Sequence, residues 1–128
     1  MSADGGQTWK SISKGLKTEG AFATDILIDL RSPKDNRTLY CVMFDDGLYK
    51  SADGGRSWQK KSKGLGRPGN DKVFKLKLLD DGTLYALITA RREGWKFPHA
   101  GGGLWKSADG GETWEELTKG MELAYPHC

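Results

Sequence analysis

The chain has 128 residues, enough for one domain, with 37% hydrophobic residues and a formal net charge of +3 from 20 basic and 17 acidic side chains. Such a mild, interspersed charge does not require a nucleic acid or an anionic membrane as partner. The sequence has no apolar run long enough to predict a transmembrane helix. It also lacks a basic region followed by an apolar stretch, which is the pattern of a signal peptide. Two cysteines, Cys41 and Cys128, are too few for a disulfide framework.

The chain opens with the phrase SADGGQTW at residues 2–9, and near copies follow as SADGGRSW at residues 51–58 and SADGGETW at residues 107–114. A lysine–glycine pair closes each repeat, namely Lys14-Gly15, Lys63-Gly64 and Lys119-Gly120. A sequence that repeats itself at this length predicts a repeat architecture, in which each unit is one supersecondary structure.

The residues between the copies alternate with period two, which is typical of β-strands. Each unit holds an alternating segment, a segment apolar on both faces as in a central strand, a third short strand and a half-polar outer strand. In the first unit these are residues 25–30, 38–44, 47–51 and 57–62; in the second they are residues 73–79, 83–89, 103–107 and 113–118. The pattern predicts four-stranded antiparallel meanders in which the repeated phrase joins strands three and four.

The repeated phrase predicts a tight corner between two strands. Its aspartate can accept hydrogen bonds from the following backbone N–H groups, and its glycines allow the positive φ that the corner needs. The flanking hydroxyls can bridge the corner, and we expect the tryptophan ring to be buried against the neighbouring unit. A calcium loop is disfavoured, because calcium takes roughly six to eight oxygen ligands and the phrase offers one carboxylate. The residues predicted to build the corners are Ser2, Asp4, Gly6, Thr8, Trp9, Ser51, Asp53, Gly55, Ser57, Trp58, Ser107, Asp109, Gly111, Thr113 and Trp114.

The pattern Ser-x-Asp-x-Gly-x-Thr-Trp resembles the Asp-box, or BNR repeat, of β-propellers. That repeat occurs in sialidases, xyloglucanase-type glycoside hydrolases, sortilin-type domains and photosystem assembly factors. The resemblance covers nearly the whole chain and implies an all-β fold, specifically a partial β-propeller. Within that family the motif is a folding device remote from the active site, so the resemblance is informative about fold and not about activity.

Aligned on this resemblance, the chain divides into four parts. Residues 1–20 are a corner and the outer strand of an incomplete blade, 21–66 and 67–120 are complete blades, and 121–128 start a further blade. Propellers close at about four to eight blades, and stacked repeats bury their faces only against neighbours. We therefore expect either a piece of a larger propeller or several copies assembled into a ring. The expected partners are the remaining blades or other copies of the chain.

The resemblance places ligand binding on the rim opposite the corners, at the connections between strands two and three and between blades. The second blade carries an insertion there, RREGWKFPHAGGG at residues 91–103. Aromatic rings and guanidinium groups suit a sugar or an acidic ligand, and the alternative is a surface loop that packs locally. The residues expected to bind such a ligand are Arg91, Arg92, Trp95 and His99.

A catalytic function would depend on carboxylates. A sialidase-like site needs an arginine triad, a tyrosine–glutamate pair and an acidic aspartate from several blades, which two blades cannot supply. A xyloglucanase-like site needs two carboxylates about 5 to 5.5 Å apart to retain configuration, or about 6.5 to 9.5 Å apart to invert it. The carboxylates to test are Asp25, which opens an inner strand, Asp71, which ends the link between blades, and Glu93 in the insertion. Most acids at such strand ends and loops are simply solvated. No phosphate-loop, dinucleotide or metal-ligand pattern indicates a cofactor or a metal.

The sequence favours a non-catalytic propeller segment that acts as a scaffold or as a module binding a glycan or a protein. The alternative is a fragment of a sialidase-like or xyloglucanase-like glycoside hydrolase. Neither a membrane nor a nucleic acid is expected as partner, since the basic run at residues 60–67 lies on an outer strand, where lysines protect a sheet edge. The compartment stays open, because hydrolase-type and sortilin-type propellers are usually exported and the chain shows no leader.

Overall fold

The computed structural model describes residues 1–16, 23–43, 46–66, 73–88 and 102–118. These ranges form two four-stranded antiparallel sheets, and they contain no helix. The prediction of an all-β fold is confirmed at this level. In the described ranges, a membrane-spanning helix of sufficient length and apolarity is not found.

Each sheet follows the chain order, so that strands adjacent in the sheet are adjacent in sequence. Sheet 1 comprises β1 Ala23–Asp29, β2 Thr38–Met43, β3 Gly47–Ser51 and β4 Gln59–Lys60. Sheet 2 comprises β5 Val73–Leu78, β6 Leu84–Ile88, β7 Gly103–Ser107 and β8 Glu115–Glu116. Both sheets are antiparallel meanders, and their outer strands are only two residues long, shorter than the sequence pattern predicts.

The two sheets share one register. Tyr40 lies opposite Lys50 in sheet 1, and Tyr85 lies opposite Lys106 in sheet 2. The first strand of each sheet also shifts register after its first residue, as a β-bulge does. Beside the shift in β5, Phe74 is 52% exposed. The sheets are therefore structurally equivalent position by position, which allows their faces to be compared directly.

The main hydrophobic core lies between the sheets. Its buried residues are Tyr40, Val42 and Leu48 from sheet 1, Val73, Leu76, Leu84, Ala86, Ile88 and Trp105 from sheet 2, and Leu65 and Trp114 from the flanking segments. Burial of a large apolar side chain contributes about 1.5–3 kcal/mol relative to exposure. The seam between the sheets is therefore the principal source of stability in the described structure.

A second, smaller cluster covers part of the opposite face of sheet 1. It contains the buried residues Leu39, Cys41, Met43, Tyr49 and Trp58, with Ile12 and Leu16 of the N-terminal segment packed against them. Burial raises the pKa of the Cys41 thiol, which disfavours the reactive thiolate. The cover is incomplete, because Ile26 and Ile28 on the same face of β1 remain 54% and 50% exposed.

The N-terminal segment contains a corner and no strand over residues 1–16, so the outer strand predicted within residues 1–20 is absent from the described range. One strand-like backbone pair is present. The Met1 ammonium donates to the Lys10 carbonyl at 2.7 Å, and the Lys10 N–H donates to the Met1 carbonyl at 2.8 Å. This pair is equivalent to the pairing of Lys50 with Gln59 in sheet 1.

Candidate functional site

The repeated corners form closed hydrogen-bond networks, seen most clearly at corner 2 (residues 51–58). The Ser51 hydroxyl donates to Asp53 Oδ1 at 2.8 Å and accepts from the Gly55 N–H at 2.8 Å. The backbone N–H of Ser57 donates to Asp53 Oδ1 at 2.9 Å, and its hydroxyl donates to Oδ2 at 2.5 Å. Both carboxylate oxygens are thus occupied by donors within the corner itself.

Corner 1 (residues 2–9) and corner 3 (residues 107–114) repeat these bonds. Asp4 accepts from the N–H of Thr8, and Asp109 from that of Thr113, at 2.9 Å in each case. Both central glycines of every corner have positive φ, between 72° and 93°, a region unfavourable to residues with a Cβ. The repeated residues therefore produce the same backbone geometry three times.

The corner carboxylates are held ionised. The hydroxyl and then the backbone N–H of the residue four positions on lower the pKa of Asp4, Asp53 and Asp109 to about 2. A general acid or base works best with a pKa near the operating pH. Their pKa values and their filled acceptor positions suit these aspartates to a structural role.

Two tryptophans link successive units through their indole N–H groups. Trp58 Nε1 donates to the Ile12 carbonyl at 2.5 Å, and Trp114 Nε1 donates to the Lys61 carbonyl at 3.1 Å. Ile12 and Lys61 occupy equivalent places, each three residues after the tryptophan of the preceding corner. The Lys61 side chain adds an ion pair with Glu112 of corner 3 at 3.0 Å. Corners 2 and 3 are therefore each attached to the segment that leaves the corner before them.

The tryptophan of the first corner behaves differently. Trp9 is 75% exposed, and its indole N–H donates to the Gly6 carbonyl of its own corner at 3.1 Å. The prediction that each corner tryptophan is buried against a neighbouring unit is wrong for Trp9. The reason is that, within the described ranges, the N-terminal segment packs on sheet 1 through Ile12 and Leu16, and no further unit lies against its corner.

The glycines of the lysine–glycine pairs also have a packing role, which the sequence pattern did not predict. Gly15 has φ +94°, and a Cβ built there would lie 2.6 Å from the Trp58 carbonyl oxygen. Gly64 has φ +78°, and its Cβ would lie 3.2 Å from the Trp114 carbonyl oxygen. The glycines let the chain approach the backbone of the next corner tryptophan. The sequence signal for this role is that a glycine recurs at a constant distance after each corner tryptophan.

A second connection between the sheets, also not anticipated, involves Arg31 in the turn after β1. Its guanidinium pairs with Asp29 at 3.2 Å and donates to the Asp81 carbonyl at 2.9 Å, reaching the β5–β6 turn. Burial alone would raise the pKa of Asp29, but the hydrogen bonds from Arg31 outweigh it and lower that pKa. Single charged residues beside a turn carry no sequence signal for such a contact.

Among the predicted catalytic carboxylates, Asp25 lies in β1 and is half-buried. Its Oδ2 accepts from the Leu76 backbone N–H at 3.5 Å, across the seam between the sheets. Asp71 and Glu93 lie outside the described residues. The predicted ligand-binding residues lie outside them as well, namely Arg91, Arg92, Trp95 and His99. The observed contact of Asp25 suits a group that connects the two sheets.

A groove of about 850 Å³ opens on the incompletely covered face of sheet 1. Its floor is apolar and is formed by Ile12, Ile26, Ile28 and Leu39. Its charged lining residues are Lys10, Lys14, Lys34, Arg37 and Arg56 together with Asp35 and Asp53. We call this feature the sheet 1 groove. An apolar floor inside a mainly basic rim suits a partner with apolar and acidic side chains.

Metal binding finds no support in the described ranges, which contain no group of three or more His, Cys, Asp or Glu side chains placed to hold an ion. A scan of the chain against protein-family models gives no match, and a search of curated proteins gives none either.

Proposed function

We propose that the chain is a segment of an Asp-box β-propeller whose two sheets are blades, and that it acts as a non-catalytic scaffold built by stacking. The observation that carries this proposal is the repeated attachment of Trp58 and Trp114 to the unit preceding each of them. A contact at equivalent positions can recur with each further unit, which is the principle of repeat architectures.

The arrangement of the sheets supports the blade interpretation. Each is a four-stranded antiparallel meander, the unit from which propellers are built. The sheets pack face to face, with β1 and β2 in contact with β5. The corner joins the third and fourth strands of each sheet, as the Asp-box resemblance implies.

The chemistry of the described carboxylates favours a structural role over catalysis. Corner aspartates with pKa values of about 2 are poor proton donors near neutral pH. Asp25 accepts a hydrogen bond from the Leu76 N–H, which uses part of its acceptor capacity across the seam. These contacts leave the glycoside-hydrolase alternative without support from the described residues. Binding of a glycan or a protein through Arg91, Arg92, Trp95 and His99 remains part of the proposal and rests on their residue types.

The scaffold is tested by removing one attachment point. Trp114→Phe keeps an aromatic ring and deletes the N–H that reaches the Lys61 carbonyl, which costs about 0.5–1.5 kcal/mol. The smaller ring in the core adds a further loss of stability. Because the sheets share a core, amide exchange should accelerate in both. Trp9→Phe is the matched control, since Trp9 bonds only within its exposed corner, and it should leave exchange unchanged. Faster exchange confined to sheet 2 would show that the sheets are independent and would contradict the proposal.

The binding part of the proposal needs a separate measurement. The intact chain and its Arg92→Ala and Trp95→Ala variants are compared on a glycan array, with fluorogenic sialosides and xyloglucan as hydrolysis substrates. We expect a glycan signal that the variants lose, without hydrolysis. Unchanged profiles would leave residues 91–103 as a surface insertion, and hydrolysis would favour the enzyme alternative.

A further inference from the structure

The same face is buried in one sheet and open in the other. Leu76 in β5 and Ile26 in β1 are equivalent, because they lie opposite Ala86 and Cys41, the residues that follow Thr-Leu-Tyr in β6 and β2. Leu76 is 3% exposed, whereas Ile26 is 54% exposed. The difference arises from the neighbour: β1 and β2 contact β5, and the corresponding place beside β1 is the sheet 1 groove.

The chain therefore displays both the open surface and the kind of element that fits it. The element is the β1–β2 hairpin, which presents Leu27 and Tyr40 to the core between the sheets. Asp25 completes the contact by accepting from the Leu76 N–H at 3.5 Å. In the groove, the backbone N–H of Ile26 is equivalent to that of Leu76. An acidic side chain of a docked hairpin would accept from the Ile26 N–H in the same way.

The charges around the groove also favour a hairpin that carries an acidic residue. Arg37 is held by the carbonyls of Leu30 and Ser32, and the Asp53 carboxylate is held within its corner. The remaining charged residues on the rim are Lys10, Lys14, Lys34 and Arg56 with Asp35. Opposite charges across an interface favour association and suppress wrong partners. An acidic residue beside an apolar one, as in β1, matches this surface.

A second copy of the chain matches it poorly. The positions of sheet 2 equivalent to Asp25 and Leu27 are Lys75 and Lys77, both exposed. Docking sheet 2 of another copy would place two ammonium groups near the basic rim and would supply no carboxylate for the Ile26 N–H. Like charges brought together at an interface oppose association.

We propose that the sheet 1 groove is a docking site for the β-hairpin of a further unit of the same repeat. That hairpin has an acidic residue at the position of Asp25 and an apolar residue at the position of Leu27. The inference rests on the proposed function and names the partner that stacking would recruit. It assigns the partner by residue chemistry, and excludes sheet 2 of a second copy as the occupant.

The test measures whether the chain's own β1–β2 hairpin, prepared as a peptide, binds to the groove of the intact chain. The probe is a labelled, backbone-cyclised peptide of residues 23–43, whose β-structure is first verified by circular dichroism because an isolated hairpin is only marginally stable. Fluorescence anisotropy with the intact chain should show saturable binding. A peptide of residues 73–88, prepared alike, and the 23–43 peptide carrying D25K and L27K should not bind.

Variants of the intact chain then locate the site. Ile28→Asp should weaken binding of the 23–43 peptide at least about tenfold, which corresponds to about 1.4 kcal/mol. Phe74→Asp is the matched control, since Phe74 is 52% exposed against 50% for Ile28 and lies on the other sheet. A Lys34→Glu, Arg56→Glu double variant, which leaves the apolar floor intact, should also weaken binding, and added salt should reduce it.

Three results would overturn the proposal: no binding of the folded 23–43 peptide, equal binding of the 23–43 and 73–88 peptides, or binding that ignores both Ile28→Asp and the rim variant. Self-association of the intact chain that Ile28→Asp abolishes would identify a second copy as the occupant and would equally overturn it. The proposed scaffold fails separately, through the exchange pattern of Trp114→Phe, because that measurement concerns contacts within one chain.

Discussion

The substitution Gly15→Ala tests how closely the N-terminal segment approaches corner 2. Gly15 has φ +94°, and an added Cβ would lie 2.6 Å from the carbonyl oxygen and 3.2 Å from the nitrogen of Trp58. Both contacts are to backbone, which cannot rotate aside as a side chain can. The neighbouring bonds lie in the same place: the Trp58 N–H donates to the Lys14 carbonyl at 3.1 Å, and its indole donates to the Ile12 carbonyl at 2.5 Å.

The expected loss has two parts. Positive φ costs a residue with a Cβ about 1–2 kcal/mol. Separating the segment enough to admit the methyl group sacrifices the two Trp58 hydrogen bonds, which contribute about 0.5–1.5 kcal/mol each. The free energy that holds residues 1–16 against sheet 1 should therefore fall by about 2–5 kcal/mol. Gly5→Ala is the matched control, because Gly5 has φ +74° and nothing lies within 4 Å of its added Cβ.

The assay is amide and indole hydrogen exchange of Trp58, combined with acrylamide quenching of its fluorescence. Gly15→Ala should accelerate exchange at both Trp58 N–H groups and expose the ring, while Gly5→Ala should lower stability only by its φ contribution. Equal effects from the two substitutions would refute the reasoning, since they would show that the φ of the glycine matters and its proximity to Trp58 does not.

Two further predictions concern the carboxylates and the Arg31 contact. The pKa values of Asp4, Asp53 and Asp109 fall from 3.8 to about 2 on folding, so their stabilisation is complete above pH 3.8 and is lost as pH falls toward 2; melting temperatures across that window should decline, and less steeply in Asp53→Asn. Gly82→Ala places a Cβ 2.0 Å from Arg31 Nη2 at φ +89°, and urea denaturation should show a loss of about 1–3 kcal/mol. Part of that loss should vanish in an Arg31→Ala background, and full additivity of the two substitutions would contradict the contact.

Local residue chemistry was sufficient to predict the corners and the strand order. Asp53, its two glycines and the flanking hydroxyls close a network within eight residues, so the geometry depends on neighbours in sequence. The doubly apolar pattern of β2 likewise predicts a central strand covered on both faces, and β2 lies between β1 and β3. Interactions of short range are the ones that a sequence pattern records.

The candidate site could be predicted only in part. Asp25 was selected as a carboxylate near a strand end, but its contact with the Leu76 N–H depends on where the second sheet packs. The number of units predicts an exposed apolar face at the end of the stack, but it does not predict the residues that line the sheet 1 groove. Ile26 and Leu76 have the same place in their strands and differ in what lies against them. Alternation with period two assigns the residues of a strand to two faces, but it does not predict which of these faces packs against another sheet.

The sequence by itself determined the three corners, the meander of each sheet and the equivalence of the two units, since all of these arise from turn chemistry and alternation along the chain. Only the tertiary structure decided that Trp58 is buried while Trp9 is exposed, that Gly15 must be small, and that Ile26 lines a groove. The physical reason is that burial is a property of two surfaces in contact, and the partner surface is distant in sequence or belongs to another unit.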